Sequence, residues 1–292
     1  MSDNPRASAI FLLIILALIW GTSFILIKQG LKVFAPDEVG ALRVTAAALF
    51  LLPAAMVRFK ELTKEHFWKL LLSGLMGIFI PAFLFATAQT NMDSSVAGIL
   101  NTLTPIFTLL IGAFIFKQKF KNLAIVGIVL GFLGGVVLMF ARSGGEIGSL
   151  NIYALLIVIA CIFYGANLNF IKYKITDLKA LTITSGSLLM IGPLAIVYLF
   201  GFSDFTTKLQ TIDGAWRACG FIVLLGIMST AIATFLFNRL VKISTPIFAS
   251  SVTYIMPIVA VGWGLFDGEA LGLGHFLGMT AITVGVYLAN KK

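Results

Sequence analysis

The chain has 292 residues, 59% of them apolar, 11% charged and 12% aromatic, with a mean hydropathy of +1.03. A soluble domain is about 45 to 50% apolar and about 25% charged, which excludes a soluble enzyme, a disordered tail and a nucleic-acid binder and leaves a membrane protein. At about 20 apolar residues per membrane-crossing helix, ten helices take about 200 residues and leave no room for an extramembrane domain.

Taken in chain order, the apolar runs predict helices near residues 9–27, 39–57, 67–88, 95–116, 122–141, 151–171, 180–200, 216–238, 246–266 and 274–290. Runs near 20 residues without in/out alternation are helices, since barrel strands are about 10 residues long and alternate. The first run is long for a signal peptide and has no small-x-small site before Lys28, so it is read as an uncleaved helix. Ten spans place both termini on one side of the membrane.

The net charge of +9 is explained by sorting the basic residues among the loops. With the N-terminus in the cytoplasm, fifteen face that side: Arg6, Arg58, Lys60, Lys64, Lys69, Lys117, Lys119, Lys121, Lys172, Lys174, Lys179, Arg239, Lys242, Lys291 and Lys292. Five face the other, Lys28, Lys32, Arg142, Lys208 and Arg217, and Arg43 inside the second span completes the 21. The positive-inside rule then puts N and C termini in the cytoplasm, and anionic lipid headgroups suffice as partners for the charge, with no nucleic acid. Cys161 and Cys219 lack metal-ligand or CxxC spacing, and two histidines without clustered carboxylates make no metal or cofactor site.

The sequence repeats itself. Gly74, Phe83, Leu84, Phe85 and Pro105 match Gly226, Phe235, Leu236, Phe237 and Pro257 at an offset of 152; Gly127 and Gly134 match Gly278 and Gly285 at 151; Gly21, Ile27 and Lys28 match Gly165, Ile171 and Lys172 at 144, with Trp20 against Tyr164. The fold expected is therefore all-α and integral to the membrane, ten transmembrane helices as two five-helix repeats, residues 1–145 and 146–292. Because five is odd, the second copy inserts inverted, a hallmark of carriers that work by alternating access.

The run from Ala17 through Trp20, Gly21 and Ser23 to Lys28, the Leu42-Arg43 pair and the Leu103-Thr104-Pro105 sequence resemble the drug/metabolite transporter superfamily, EamA-like branch, over nearly the whole chain. A glutamate that this family carries after spans four and nine is Gln118 in the first half and Glu269 in the second. The resemblance implies a secondary carrier of small metabolites or amino acids, commonly an exporter, in a bacterial cytoplasmic (inner) membrane, as a monomer or homodimer.

Polar residues inside a bilayer turn toward a bundle interior or a cavity. In span four Asn101, Pro105, Thr108 and Gly112 share one face, matched in span nine by Thr253, Pro257, Ala260 and Gly264; in span eight Gly226, Thr230, Thr234 and Asn238 share another, while the matched Gly74, Ile78, Ala82 and Ala86 of span three are bare. Spans one and six add Trp20 with Tyr164 and Ser23 with Asn167. Two readings apply to each hydroxyl or amide, helix-to-helix glue or pathway lining. The candidate substrate-binding set is Trp20, Ser23, Arg43, Asn101, Thr108, Tyr164, Asn167, Thr230, Thr234 and Thr253, around a midplane cavity lined by spans one, three, four, six, eight and nine. Arg43 has two readings of its own: a snorkelling side chain or structural pair with Asp37, Glu38 or Asp93, or a contact for a substrate carboxylate near the external mouth.

Prolines 81, 105 and 257 lie within spans and remove backbone hydrogen bonds there. Glycines 127, 131 and 135 with 274 and 278 form small-xxx-small rows, which assign spans five and ten to scaffold or dimer contact. No acidic residue occupies the middle of a span, so a buried carboxylate proton relay is missing, although Asp93, Asp267 and Glu269 stand at helix ends. The rival classes are a non-transporting membrane sensor and an intramembrane serine hydrolase using Ser185 or Ser187 with His275 as base. A small amphipathic solute such as an amino acid suits the mixed aromatic and hydroxyl lining; a nucleotide sugar or phosphate ester wants more cations than the midplane holds.

Overall fold

The computed structural model describes residues 5–91, 94–142, 152–266 and 272–291. Asp93, Asp267 and Glu269 lie outside the described residues. The helices are α1 (Pro5–Gly30), α2 (Pro36–Arg58), α3 (Lys64–Ala88), α4 (94–114), α5 (Asn122–Arg142), α6 (Ala154–Lys174), α7 (Ala180–Gly201), α8 (Ala215–Ile243), α9 (246–266) and α10 (Leu273–Ala289), with a short helix Phe205–Thr211 between α7 and α8. Seven of them, α1 to α4 and α6 to α8, are long and apolar enough to cross a membrane; Asn122–Val137, Pro246–Val259 and Leu273–Ala289 are shorter apolar helices. Among the described residues there is no strand, as lipid demands of a chain whose backbone groups must pair within each segment. The outer faces are apolar too: Ile10, Ile14 and Leu18 of α1 are exposed at four-residue spacing, while Leu13, Leu16 and Ala17 are buried.

Four of the helices are irregular at positions that recur in the two halves. In α3 the residues Leu75–Phe79 form a π turn, with the Ile80 N–H donating to the Leu75 carbonyl; in α8 the same distortion covers Gly226–Ile232, with the Ala233 N–H donating to Met228. Pro81 lacks an N–H and crowds the carbonyl four residues back, which a wider turn relieves. The second copy keeps the π turn with Ala233 in that place, so proline alone does not produce it. What both share is a glycine at the start, pressed against a neighbour: a Cβ on Gly74 would lie 3.0 Å from the Ser187 carbonyl of α7, and one on Gly226 2.6 Å from the Arg43 carbonyl of α2. In α4 a 3-10 turn at Asn101–Leu103 precedes Pro105, which cannot donate to the Asn101 carbonyl; α9 is interrupted at Ser251, before Pro257. Pro53 and Pro193 also lie inside helices, α2 and α7, where the sequence reading passed over them.

Helix contacts come in exchangeable pairs. α1 packs on α9 and on α8, as α6 packs on α4 and on α3; α2 meets α8 as α7 meets α3; α2 meets α7 and α5 meets α10. Glycines set these approaches. A Cβ on Gly21 would stand 2.9 Å from Val259 of α9, and on its match Gly165 2.8 Å from the Thr108 nitrogen of α4. Between α5 and α10 the backbones touch directly: a Cβ on Gly127 would be 2.6 Å from the Gly285 carbonyl, and one on Gly134 2.9 Å from the Gly278 carbonyl. Of the expected rows, Gly127 and Gly278 are used in this contact inside one chain, joined by Gly134 and Gly285, while Gly135 faces Thr102 of α4.

Side chains tie the ends of the bundle. His66 Nε2 meets Asp177 at 2.7 Å, Thr182 donates to Glu61 at 2.7 Å, and Lys208 pairs with buried Glu38 at 2.7 Å. Tyr198 donates to Asp37. Lys172 donates to the carbonyls of Val241, Lys242 and Ser244 at the end of α8, and Lys242 returns the contact to Ile175 beyond α6. Asn169, fully buried, donates to both the Thr108 and Gly165 carbonyls at 2.9 Å. Replacing it with Leu is expected to cost about 1 to 3 kcal/mol, since two buried bonds vanish, and to lower the thermal midpoint in detergent.

Candidate functional site

One cavity lies among α1, α2, α3, α4, α6, α8 and α9. These are the six helices expected from the polar stripes plus α2, which enters through Arg43. The cavity volume is about 90 Å³, room for a few ordered waters.

Nine of the ten candidate residues line it: Trp20, Ser23, Arg43, Asn101, Tyr164, Asn167, Thr230, Thr234 and Thr253. Thr108 does not; it is fully buried against α6, its hydroxyl donating to the Thr104 carbonyl at 2.8 Å. A 3-10 turn at Asn101–Leu103 precedes it. Three residues at about 120° each, where an α-helix turns about 100°, shift the following face by roughly 60°, which disturbs the register between Asn101 and Thr108 that regular spacing assumed.

Arg43 is the one formal charge among the described lining residues. Its Nε donates to Thr230 Oγ1 at 2.5 Å and its Nη2 reaches Ser229 Oγ at 3.5 Å. The expected pairing with Asp37 or Glu38 does not form, because Tyr198 holds Asp37 and Lys208 holds Glu38; among the described residues no carboxylate lies within ion-pair distance of Arg43. Ser229, which the sequence reading missed, is a junction: its carbonyl accepts Trp20 Nε1 at 3.0 Å and its hydroxyl accepts Ser23 at 2.8 Å. Its signal was its place in the Ser229-Thr230 pair, one residue off the assigned stripe.

The first and sixth helices differ in how they hold their amide and hydroxyl. Asn167 Oδ1 accepts Ser73 at 2.8 Å, and its Nδ2 occupies the space above Gly77, where a Cβ would stand 2.1 Å away. Gly77 belongs to the π turn of α3 and also lines the cavity, so the stretch of α3 read as bare contributes by the side chain it lacks. Asn101 accepts from Thr104 at 3.2 Å. Aromatic rings enclose the space: Trp20 stands edge-on to Phe237 with centroids 4.9 Å apart, and Phe85 lies 6.1 Å from both Phe24 and Tyr164. Asn238, Ser250 and Met256 complete the lining and were not in the candidate set.

The hydrolase reading fails on geometry. Ser185 and Ser187 are buried in α7 with hydroxyls that have no hydrogen-bond partner, whereas His275 Nδ1 accepts the Gly272 amide at the start of α10. A serine without a base is not activated. No three metal-ligating side chains cluster among the described residues.

Known proteins bear on the same conclusion. Residues 7–140 and again 151–291 match the EamA-like transporter family. The "Uncharacterized inner membrane transporter YedA" of Escherichia coli K12 is 27% identical over 292 residues, covering 98% of this chain and 90% of its own. The "Probable amino-acid metabolite efflux pump" of Salmonella typhimurium is 26% identical over 290 residues, covering 95% and 93%. A solved crystal structure superposes with a TM-score of 0.74 at 18% identity, over 97% of this chain and 96% of that one, which is a likeness of fold. With matches running almost end to end, the chain belongs to the EamA-like transporter family, and that family and its named relatives make it a multi-pass membrane transporter rather than an enzyme.

Proposed function

We propose that the protein is a ten-span secondary carrier, built of inverted repeats 1–145 and 146–292, that exports small amphipathic solutes such as amino acids across a bacterial inner membrane by alternating access. The observation that carries this is the composition of the cavity wall. α1, α3 and α4 of the first half face α6, α8 and α9 of the second around one polar space. The exchangeable helix contacts and the twice-matched family support the repeat, and an odd helix count per repeat supports its inversion. Exposed Trp68 at the start of α3 and exposed Trp216 at the start of α8 suit anchors at opposite interfaces. The fifteen-to-five bias of basic residues supports cytoplasmic termini. The relatives named as efflux pumps support the direction.

The test is counterflow into proteoliposomes with a panel of amino acids, organic acids and amines, with and without a pH gradient. Accelerated exchange of a labelled solute by the same unlabelled solute inside is expected; no exchange of any member would refute carriage. Cysteine substitutions at Lys119 and Lys174 are expected to label from the same, cytoplasmic, face.

A further inference from the structure

The charge inventory of the cavity narrows the solute, on the carrier reading above. Arg43 has five N–H donors, two of them engaged by Thr230 and Ser229. No Asp or Glu stands among the described lining residues, and both bonding partners of the guanidinium are neutral. Arg43 is half-buried; a partly desolvated charge without a counter-ion is costly, and a ligand that closes over it and neutralises it recovers that cost. From these facts we propose that the cavity selects monoanionic carboxylates with an apolar or aromatic body and no free amine, ahead of zwitterionic amino acids and against amines.

The order follows from the sum of charges. An amine-free acid leaves the cavity neutral, with its carboxylate accepting the free guanidinium donors in the bidentate geometry that Arg favours. A zwitterion brings an ammonium for which the described lining offers no carboxylate, so one net positive charge stays buried. An amine leaves two. Aromatic faces attract an ammonium as well, but Trp20, Phe24, Phe85, Tyr164 and Phe237 share this enclosure with the uncompensated guanidinium. Those rings instead suit the body of the acid, and Asn101 and Asn167 suit an acylated nitrogen or other neutral polar group. A dicarboxylate fails for the opposite reason, burying a second negative charge without a partner.

The test is a matched series with one body and three charges: 3-phenylpropionate, phenylalanine and phenethylamine. Binding to the purified full-length protein is read by thermal shift in detergent at pH 7, and transport by counterflow in proteoliposomes. The expected result is a dissociation constant for 3-phenylpropionate at least tenfold below that of phenylalanine, no saturable shift by phenethylamine, and loss of the preference in Arg43→Gln with partial retention in Arg43→Lys. Equal or tighter binding of phenylalanine or phenethylamine, no binding of any of the three, or an unchanged preference in Arg43→Gln overturns the proposal. The wild-type order alone decides the matter if a variant does not fold. Carriage of amino acids or amines with the acid ignored would sink the charge preference and leave the carrier intact, whereas binding without exchange of any solute would sink the carrier reading.

Discussion

Replacing Arg43 with Met is expected to lower transport by about 100-fold or more while leaving the folded protein at least as stable as the wild type. The two effects have opposite physical origins. The guanidinium of half-buried Arg43 has hydroxyls for partners and no carboxylate among the described residues, so its partial desolvation is poorly compensated. A methionine replaces the apolar stem and leaves the volume of the guanidinium tip to the cavity, and exchanging a desolvated charge for an apolar side chain is often neutral or stabilising by about 1 to 4 kcal/mol. Ser229 keeps its bond from Ser23, so the group newly left without a side-chain partner is the Thr230 hydroxyl. On the proposed role of Arg43, transport loses instead the charge-assisted contact to solute, and a loss of about 100-fold corresponds to about 2.8 kcal/mol at about 1.4 kcal/mol per factor of ten. Counterflow rates and thermal midpoints in the same detergent check both halves. A variant that transports within threefold of wild type, or that unfolds several degrees lower, contradicts the placement of Arg43 as an anchor held for the solute at the expense of stability.

The largest loss of stability is expected from Gly285→Val. A Cβ there would sit 2.5 Å from the Gly131 nitrogen and 2.7 Å from the Gly127 carbonyl, both backbone atoms of α5 that cannot turn aside. Overpacking costs about 1 to 3 kcal/mol where side chains absorb it, and more where they cannot. A cost above about 3 kcal/mol is therefore expected, seen as a lower thermal midpoint and a loss of the monodisperse peak on size exclusion. Gly220→Ala is the control. Nothing lies within 4 Å of a Cβ at that place in α8, so its midpoint is expected to stay within a degree or two, or to rise slightly because alanine favours the helix. Equal behaviour of the two variants would show that α5 and α10 do not depend on backbone contact.

Much of this architecture was legible because lipid forces long apolar runs and leaves polar residues few and meaningful. The run 180–200 became Ala180–Gly201, and the run 95–116 became 94–114. The stripe Thr230, Thr234 and Asn238 ends on one wall of the cavity, as helical spacing required. Its first member, Gly226, serves instead as the close contact to α2. What was not legible lies where helices depart from 3.6 residues per turn. Thr108, which leaves the wall, follows the 3-10 turn at Asn101–Leu103, and Gly77 and Ser229, which join it, lie within the π turns. Apolar periodicity is blind to a hydrogen bond that shifts by one residue, because the side chains on either side are equally greasy. Nor could spacing reveal that Asp37 and Glu38 were already taken, since Tyr198 and Lys208 reach them from 161 and 170 residues away.

The paired π turns have a mechanical meaning. Each holds one surplus residue in its coil, and the surplus can travel along the helix if a single hydrogen bond is exchanged for its neighbour. Every such step swings the intervening side chains by about 100° about the axis while both ends of the helix stay anchored in the headgroups. Phe79 and Ile80 on one side, and Ile232 and Ala233 on the other, mark where each coil now ends. Two rods that twist locally without sliding would, in the proposed carrier, re-aim Ser229 and Thr230 and leave the lipid contacts undisturbed.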